Sequence, residues 1–214
     1  MGNIIAGVDE VGRGAIFGPV VAAAVILSEA SAKHLAQLGV TDSKKLSPEK
    51  RDELFPQILA HAIDCKIGLA SAREIERINI LNASLLAMRR AIDRLNPAPT
   101  LCRIDGNRPI KDLPLSQETV IKGDLLHVEI AAASVIAKVW RDRLIIRLDK
   151  RFPGYDLASN KGYGTVKHRR AIATLGFSSQ HRRTFNINTA IEQMDLFSQQ
   201  ELSSRKGASL QEER

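Results

Sequence analysis

Aromatic residues make up only 4% of this 214-residue chain, with one tryptophan and two tyrosines. So few rings argue against a single-strand-binding surface that stacks many bases on aromatic side chains. The two cysteines, Cys65 and Cys102, lie far apart and form no C-x-x-C pair, which excludes a disulfide scaffold and a zinc finger as the organising feature. The longest apolar run, residues 15–27, is too short to cross a bilayer and is interrupted by Gly18-Pro19. We therefore expect a cytoplasmic protein without a membrane partner.

Positive charge is in excess. The chain has 31 lysines and arginines against 24 aspartates and glutamates, a formal charge of +7. This balance favours a polyanionic partner, most commonly nucleic acid. The length suits one domain, and we expect a monomer whose folded part covers residues 1–197. Residues 198–214 are polar, lack aromatics and show no periodicity, so they are predicted to form a disordered tail.

Short apolar runs alternate with helical patterns along the chain. The apolar runs predict five strands, at residues 4–8, 20–27, 65–70, 101–104 and 118–121. Capping signals and helical spacing predict helices that begin at residues 47 and 71 and others that cover 80–95 and 126–152. Pro56 is expected to kink or end the first of them, and the remainder to residue 197 looks helical and basic. This order predicts an α/β fold, a mixed sheet flanked by helices with a helical C-terminal region.

Four carboxylates follow three of the predicted strands: Asp9, Glu10, Asp105 and Asp124. Strand ends of an α/β sheet hold functional side chains on a rigid scaffold, and acids gathered there repel one another unless a cation joins them. Oxygen ligands suit Mg²⁺ or Mn²⁺, and two such ions can promote phosphodiester hydrolysis. Neighbours in a regular strand point to opposite faces, so Glu10 is expected where its strand has begun to turn. Singly, each acid fits a solvated loop; together, each with a glycine within two positions, they predict a metal site.

A glycine-rich segment follows the first pair of acids and consists of Gly12, Arg13 and Gly14. It resembles the start of a dinucleotide fingerprint, but a strand-like run follows instead of the helix that would hold a pyrophosphate, so this interpretation fails. Flanking glycines do allow the backbone to approach a ligand closely while the arginine meets a phosphate. A plain tight turn is the alternative.

Three other segments offer contacts to a nucleic acid. They contain Ser43, Lys44 and Lys45, then Tyr163, and finally His181 and Arg182. The two lysines beside a helix start suit a phosphate, and the tyrosine between glycines is expected to be accessible for stacking on a sugar or base. The last pair belongs to a basic C-terminal face. Solvated charged loops and a core tyrosine are the alternatives.

Six motifs stand along the chain in this order: residues 9–14 (DEVGRG), 42–47 (DSKKLS), 105–106 (DG), 122–124 (KGD), 131–139 (AAASVIAKV) and 162–165 (GYGT). Together they resemble bacterial ribonuclease HII, the type 2 ribonuclease H family, from about residue 4 to the helical region before the tail. The resemblance implies the ribonuclease H fold, a mixed five-stranded sheet between helices. It also implies an endoribonuclease that hydrolyses RNA in RNA/DNA hybrids and nicks duplex DNA 5′ to a single ribonucleotide, leaving 3′-hydroxyl and 5′-phosphate ends.

The same resemblance implies residue roles. Mn²⁺ or Mg²⁺ would be the cofactor, and the catalytic, metal-binding carboxylates would be Asp9, Glu10, Asp105 and Asp124. The backbone of Gly12, Arg13 and Gly14 would read the 2′-hydroxyl, the group that distinguishes RNA from DNA at one site. Tyr163 would pack on the nucleotide at the RNA–DNA junction.

Two loops depart from the family's pattern. Ala15 and Phe17 stand where many members have a proline and a small residue, and residues 176–180 replace a loop that usually contains proline. Both changes are expected to bear on how the loops hold substrate, and neither touches the proposed metal ligands.

Residues 193–197 (QMDLF) resemble the short peptide by which bacterial replication and repair proteins bind the sliding clamp. Leu196 and Phe197 would be apolar anchors, and Gln193 would fix the register by hydrogen bonds. The hydrophobic end of the last helix, packed on the domain, is the alternative.

Two other functions remain open at this point. A junction resolvase or another DNA nuclease on the same fold would cut all-DNA substrates without needing a 2′-hydroxyl. A non-catalytic protein that binds hybrids would do so without metal and would tolerate aspartate-to-asparagine changes.

Overall fold

The computed structural model describes residues 3–185. The clamp-like segment 193–197 and the predicted tail 198–214 therefore lie outside the described residues, and the domain limits predicted there stay predictions. Within residues 3–185, no helix is both long enough and apolar enough to cross a bilayer.

Five strands form one sheet: β1 (Ile5–Val11), β2 (Val20–Leu27), β3 (Ala62–Ala70), β4 (Leu101–Asp105) and β5 (Ser116–Val120). Their order across the sheet is β3-β2-β1-β4-β5. β2 runs antiparallel to both of its neighbours, whereas β1, β4 and β5 run parallel to one another. The predicted mixed five-stranded sheet is thus confirmed, and β1 is its central strand.

Seven helices accompany the sheet within residues 3–185: α1 (Glu29–Gln37), α2 (Pro48–His61), α3 (Ala72–Ile92), α4 (Gly123–Leu126), α5 (Val128–Asp149), α6 (Leu157–Asn160) and α7 (Val166–Leu175). The long helix α3 packs on one face of the sheet, and α5 covers the other face together with α1 and α2. Because both faces of the sheet are covered, both faces of β2 are buried. Its alternate residues Ala22 and Ala24 enter the core on the α3 face, while Ala23 and Val25 enter the core on the α5 face. A strand covered on both faces reads as one continuous apolar run.

The predictions for the first helices are confirmed in part. Pro56 lies inside α2 without ending it, because the fully buried Leu54 and Ile58 on either side of it anchor the helix to the core. The two helices predicted from residue 71 and over 80–95 are the two halves of α3, which meet at a kink at Asn79 with φ 65° and ψ 167°; the second half ends at Ile92 rather than at residue 95. The Asn79 side chain accepts a hydrogen bond from the Asn82 N–H and so caps the second half.

The C-terminal half also differs from expectation. The helix predicted over 126–152 corresponds to α5, which begins after His127 and ends at Asp149; the short helix α4 precedes it and was not predicted. The remainder is not continuously helical, because only the short helices α6 and α7 follow and residues 176–185 form turns and one isolated bridge. Helix α1 has no counterpart among the predictions; Ser28 caps it by accepting from the Ser31 N–H.

Candidate active site

The central strand carries the first two acids. β1 continues in register through both of them, with Asp9 opposite Ala23 and Glu10 opposite Ala22 on β2, so the prediction that Glu10 stands in a turn is wrong. The two side chains lie on opposite faces of the sheet. Asp9 is buried and hydrogen-bonds Ser134 on α5. Glu10 lines a cleft beside α3 and accepts a hydrogen bond from Arg13 Nη1 at 3.3 Å.

The other two acids reach the same end of the sheet by different routes. Asp105 ends β4, which runs parallel to β1 with Val8 beside Ile104, so Asp105 lies next to Asp9 across the strand pair. Its Oδ1 accepts from the Gly123 N–H at 2.8 Å. This bond ties the first turn of α4, which carries Asp124, to the end of β4. The structure therefore brings all four predicted carboxylates to one end of the sheet.

The pKa values of three of these acids are raised because the acids are buried close to one another. Burial raises the pKa of Asp9 well above its ordinary value, and the charges of Glu10 and Asp105 raise it further. Burial also raises the pKa of Glu10 against the opposing charge of Arg13. The pKa of Asp124 is raised by burial and then by the carboxylates of Asp42 and Asp105. The site is a concentration of negative charge that the fold leaves incompletely neutralised.

Such a donor set fits a hard divalent cation. All of its side-chain donors are carboxylate oxygens, the ligands that Mg²⁺ and Mn²⁺ prefer, and a cation would remove the repulsion that raises the pKa values. The side chains do not form a complete coordination shell. Among residues 3–185, no three acidic, histidine or cysteine side chains lie close enough together to hold an ion. Two basic side chains compensate part of the charge instead. One is Arg13, paired with Glu10; the other is Lys44, whose pKa is lowered by desolvation but more than restored by Asp9, Asp124 and other nearby acids.

The predicted phosphate-contacting segment lies over this cluster. Ser43 is buried, and its hydroxyl lies 2.8 Å from the Ser134 hydroxyl, which also bonds Asp9. Lys44 and Lys45 are exposed. Arg51 on α2 donates to the carbonyls of Ser43 and Leu46. The segment is therefore held in place by the Ser43–Ser134 hydrogen bond and by the hydrogen bonds from Arg51. Its two lysines are exposed to solvent.

Two glycine-containing loops meet beside the acids. The turn of Gly12, Arg13 and Gly14 follows β1, and the next residues pair with the loop around Tyr163: Ala15 forms a bridge with Tyr163, and the Ile16 and Phe17 N–H groups both donate to the Gly162 carbonyl. Tyr163 is half-buried, with Lys138 Nζ 5.6 Å from its ring centre and Arg141 Cζ 5.5 Å from it. The ring predicted to stack on substrate is thus held next to the turn predicted to read the sugar.

His181 and Arg182 do not form the exposed basic face that was predicted. His181 is 2% exposed and Arg182 is fully buried. Arg182 donates to the carbonyls of Gly18 and Arg13. Its guanidinium also lies over the Phe185 ring. The prediction that these two side chains contact substrate directly is wrong for this reason, and they support the glycine turn from the interior instead.

The two departures from the family's pattern lie in the same region. Ala15 and Phe17 are both fully buried, and the Phe17 ring packs against Phe152 and His181 with centroid distances of 5.6 and 5.0 Å. In the 176–180 loop, Ser178 donates its N–H to His181 Nδ1. Ala15 and Phe17 therefore pack in the interior behind the two loops, whereas the 176–180 loop is largely exposed and joins the interior through Ser178.

Sequence reasoning missed three residues that build this region. Asp42 faces Asp124 and raises its pKa, Ser134 joins Asp9 to Ser43, and Arg141 lies beneath both loops. Asp42 and Ser134 belong to the motifs at 42–47 and 131–139, so the sequence does contain a signal for both of them. Arg141 could have been found as an arginine within the apolar stripe of α5.

Comparison with known proteins agrees with this geometry. A family model described as Ribonuclease HII matches residues 6–188. A curated Ribonuclease HII of Acaryochloris marina (strain MBIC 11017) is 61% identical over 181 residues, 85% of this chain and 91% of that protein. The crystal structure of the ribonuclease H2 from Pyrococcus horikoshii OT3 superposes with a TM-score of 0.73 at 28% identity, over 89% of this chain and 98% of that one.

A second solved structure is similar to the same extent. It is the complex of PCNA with RNase HII from Archaeoglobus fulgidus, with a TM-score of 0.71 at 29% identity over 86% of this chain and 95% of that one. Fold and site together define an endonuclease of the ribonuclease H-like class, which is divalent-metal dependent. Within that class, the chain belongs to the ribonuclease HII family.

Proposed function

We propose that this endoribonuclease hydrolyses the RNA strand of RNA/DNA hybrids and also nicks duplex DNA on the 5′ side of a single embedded ribonucleotide. The products would carry 3′-hydroxyl and 5′-phosphate ends, and the nick would begin the excision of ribonucleotides from DNA in the cytoplasm. One observation carries the proposal. Four carboxylates meet at one end of β1 and β4, directly beside a paired glycine turn and tyrosine loop.

The carboxylates have the role of holding metal. Asp9, Glu10, Asp105 and Asp124 would bind Mg²⁺ or Mn²⁺, and bound ions supply an activated water and stabilise the leaving oxygen of the phosphodiester. The chain's own contribution is the arrangement of the ligands. β1 and β4 fix Asp9 and Asp105 as neighbours, and the Gly123 N–H bond to Asp105 fixes the turn that carries Asp124.

The substrate contacts would surround these ligands. The backbone of Gly12, Arg13 and Gly14 would read the 2′-hydroxyl, and the Tyr163 ring would pack on the nucleotide at the RNA–DNA junction. Lys44 and Lys45, both exposed, would contact phosphates. Ser43, being buried and bonded to Ser134, would act by holding those lysines in place.

The test uses a labelled DNA duplex that contains one ribonucleotide, with an all-DNA duplex of the same sequence as control. Each duplex is incubated with Mg²⁺, Mn²⁺ or chelator, and the products are sized. The expected result is a metal-dependent nick just 5′ of the ribonucleotide and none in the control. Cleavage of both duplexes would assign the chain to DNA nucleases, and metal-independent binding without cleavage would assign it a non-catalytic role.

A sliding clamp is the proposed protein partner. The Archaeoglobus fulgidus relative is seen in complex with PCNA, and residues 193–197 of this chain have the apolar anchors that such a contact needs. Clamp binding by the wild-type protein is compared with that of Phe197→Ala and, as control, Ser198→Ala. We expect binding that a clamp peptide displaces and that only Phe197→Ala weakens. Undetectable affinity of the wild-type protein would contradict the proposal.

A further inference from the structure

Arg141 is a fully buried arginine in the middle of α5. Each of its three guanidinium nitrogens donates to a backbone carbonyl: Nε to Pro19 at 3.1 Å, Nη1 to Lys161 at 2.8 Å and Nη2 to Phe17 at 3.0 Å. Two of these carbonyls belong to the segment that follows the glycine turn, and the third belongs to the tyrosine loop. Burying a charge costs free energy unless the charge is well hydrogen-bonded. An apolar side chain would fill this space without that cost, so we look for a function of Arg141 in the carbonyls that it binds.

Both loops rest on the same guanidinium. Gly12 has φ +90°, and a Cβ there would lie 2.2 Å from Arg141 Nε; Gly162 has φ +81°, and a Cβ there would lie 3.3 Å from Arg141 Nη2. The ring of Tyr163 stands 5.5 Å from Arg141 Cζ. One side chain therefore packs against the residue that opens the glycine turn and the glycine before the tyrosine, and it lies within cation–π distance of the tyrosine ring.

Arg182 completes the support from the other side. It donates to the carbonyls of Arg13 at 3.0 Å and Gly18 at 2.9 Å. Together the two arginines donate hydrogen bonds to five carbonyls of the two loops and of the segment that follows the glycine turn. With these inward-facing carbonyls bound, the turn and the tyrosine loop are held in one fixed relation, which the Ile16 and Phe17 bonds to Gly162 reinforce.

We propose that Arg141 is a specificity-determining positioning residue, which sets the Gly12–Gly14 turn and Tyr163 at a fixed distance so that one ribonucleotide and its junction are recognised together. This inference rests on the proposed function. It names the residue on which the enzyme would depend to distinguish a ribonucleotide-containing duplex from an all-DNA duplex. A lysine would keep the charge but offers a single nitrogen, which cannot reach three carbonyls in diverging directions. Discrimination should therefore fall while general attraction to nucleic acid stays the same.

The experiment measures dissociation constants in chelator, where no cleavage interferes. The wild-type protein, Arg141→Lys and Arg143→Lys are titrated against the single-ribonucleotide duplex and the matched all-DNA duplex. Arg143 is a fitting control because it lies two residues further along the same helix, is exposed and pairs with Asp52. For the wild type and Arg143→Lys we expect the ribonucleotide duplex to bind more tightly by about five- to tenfold, the worth of one hydrogen bond.

Arg141→Lys should bind the all-DNA duplex as the wild type does, and its preference for the ribonucleotide duplex should fall below about twofold. With Mg²⁺ or Mn²⁺ present, its kcat should fall far more than its KM rises, because the phosphate contacts are intact. An unchanged preference in a folded Arg141→Lys protein would overturn the inference. Absence of any preference in the wild-type protein would instead count against the proposed function itself.

Arg182→Lys provides a second variant if Arg141→Lys does not fold, since it releases two carbonyls of the same set. The same loss of preference is expected, together with a cooperative thermal transition that shows the domain to be folded. If neither lysine variant folded, the two arginines would be ordinary core residues, and the proposal would be overturned.

Discussion

Asp9 is the residue at which function and folding conflict most directly. It is buried in the central strand, and burial, followed by the charges of Glu10 and Asp105, raises its pKa well above the ordinary value. An acid with a raised pKa is charged at neutral pH only at a cost to the folded state. The ionised form that Asp9 would need as the proposed metal ligand is therefore the form that the metal-free fold disfavours.

Replacing this charge should stabilise the protein and inactivate it. We expect Asp9→Asn to raise the thermal midpoint in chelator at neutral pH by about 2 °C or more, while cleavage falls about a hundredfold or more. Calorimetry and the duplex assay measure the two effects. Asp52→Asn, an exposed acid paired with Arg143, should change neither; a lower midpoint for Asp9→Asn would contradict this account of the repulsion.

Divalent metal should act in the opposite sense. A cation bound by the acids of the folded state alone adds stability by mass action. We expect saturating Mg²⁺ or Mn²⁺ to raise the midpoint of the wild-type protein and to have much less effect on Asp124→Asn. Equal shifts for the two proteins would show that the ions bind elsewhere.

A pair of buried histidines shows a defined arrangement of protons. His168 Nδ1 lies 2.9 Å from the Tyr163 carbonyl, which can only accept, and His181 Nδ1 accepts the Ser178 N–H. The two Nε2 atoms are 3.1 Å apart. His181 must therefore donate through Nε2 to His168, and both rings are neutral.

This pair predicts a loss of stability in acid. Burial, and then the neighbouring His168, lowers the pKa of His181 to about 4, and burial lowers the pKa of His168. A histidine with a depressed pKa contributes its full stability above about 6.5 and loses it as the pH falls towards that lowered value, with a slope of about 1.4 kcal/mol per pH unit for one proton. Urea titrations between these pH values should show the slope. His181→Asn, which keeps an acceptor for Ser178, should flatten it, whereas His34→Gln should not.

At the level of elements, close packing of helix on strand is the feature most sensitive to volume. Gly68 on β3 lies against α3, and a Cβ there would be 2.0 Å from the Ala87 carbonyl oxygen and 2.6 Å from the Ala91 nitrogen. Both atoms belong to helix backbone and cannot move singly. We expect Gly68→Ala to cost about 1–3 kcal/mol or more. Gly14→Ala, where no atom lies within 4 Å of the added Cβ, is the control in the same urea titration; similar losses for both would contradict this reason.

The elements that the sequence predicted well are those with a local signal. The continuous apolar run at 20–27 became β2 with those bounds, and the capping box at Ser71 begins α3. Predictions failed where tertiary packing decides. β1 continues through two acids because β2 pairs with it as far as Val11. α2 continues past Pro56 because the residues on either side of this proline are buried.

The candidate site divides in the same way. The four acids were predictable because each follows a short apolar run, and the structure brings them to one end of the sheet. The roles of His181 and Arg182 were not predictable, because a sequence does not show whether a basic side chain points to solvent or to a carbonyl. Arg182 is bonded to residues more than 160 positions away, a relation that only the folded chain defines.

At the scale of the whole molecule, the charge of +7 should govern the general affinity for nucleic acid. We expect binding of the all-DNA duplex to weaken at least about tenfold between about 50 and about 200 mM salt. Lys45→Ala should reduce the slope of log Kd against log salt by about 1. Lys33→Ala on α1, where the lysine already pairs with Glu29, should leave the slope unchanged; equal slopes for all three proteins would exclude Lys45 from the phosphate contacts.

β1 is the first strand of the chain and the central strand of the sheet. Its acids are therefore among the first residues to leave a ribosome, but the neighbours that complete their environment, at Asp105, Asp124 and Arg141, emerge about a hundred residues or more later. A nascent chain that carries only β1 to β3 lacks β4, the parallel neighbour of β1. It also lacks two of the four carboxylates, Asp105 and Asp124. If these acids hold the metal as proposed, we expect the nascent chain to gain nuclease activity only after more than half of its length has been translated.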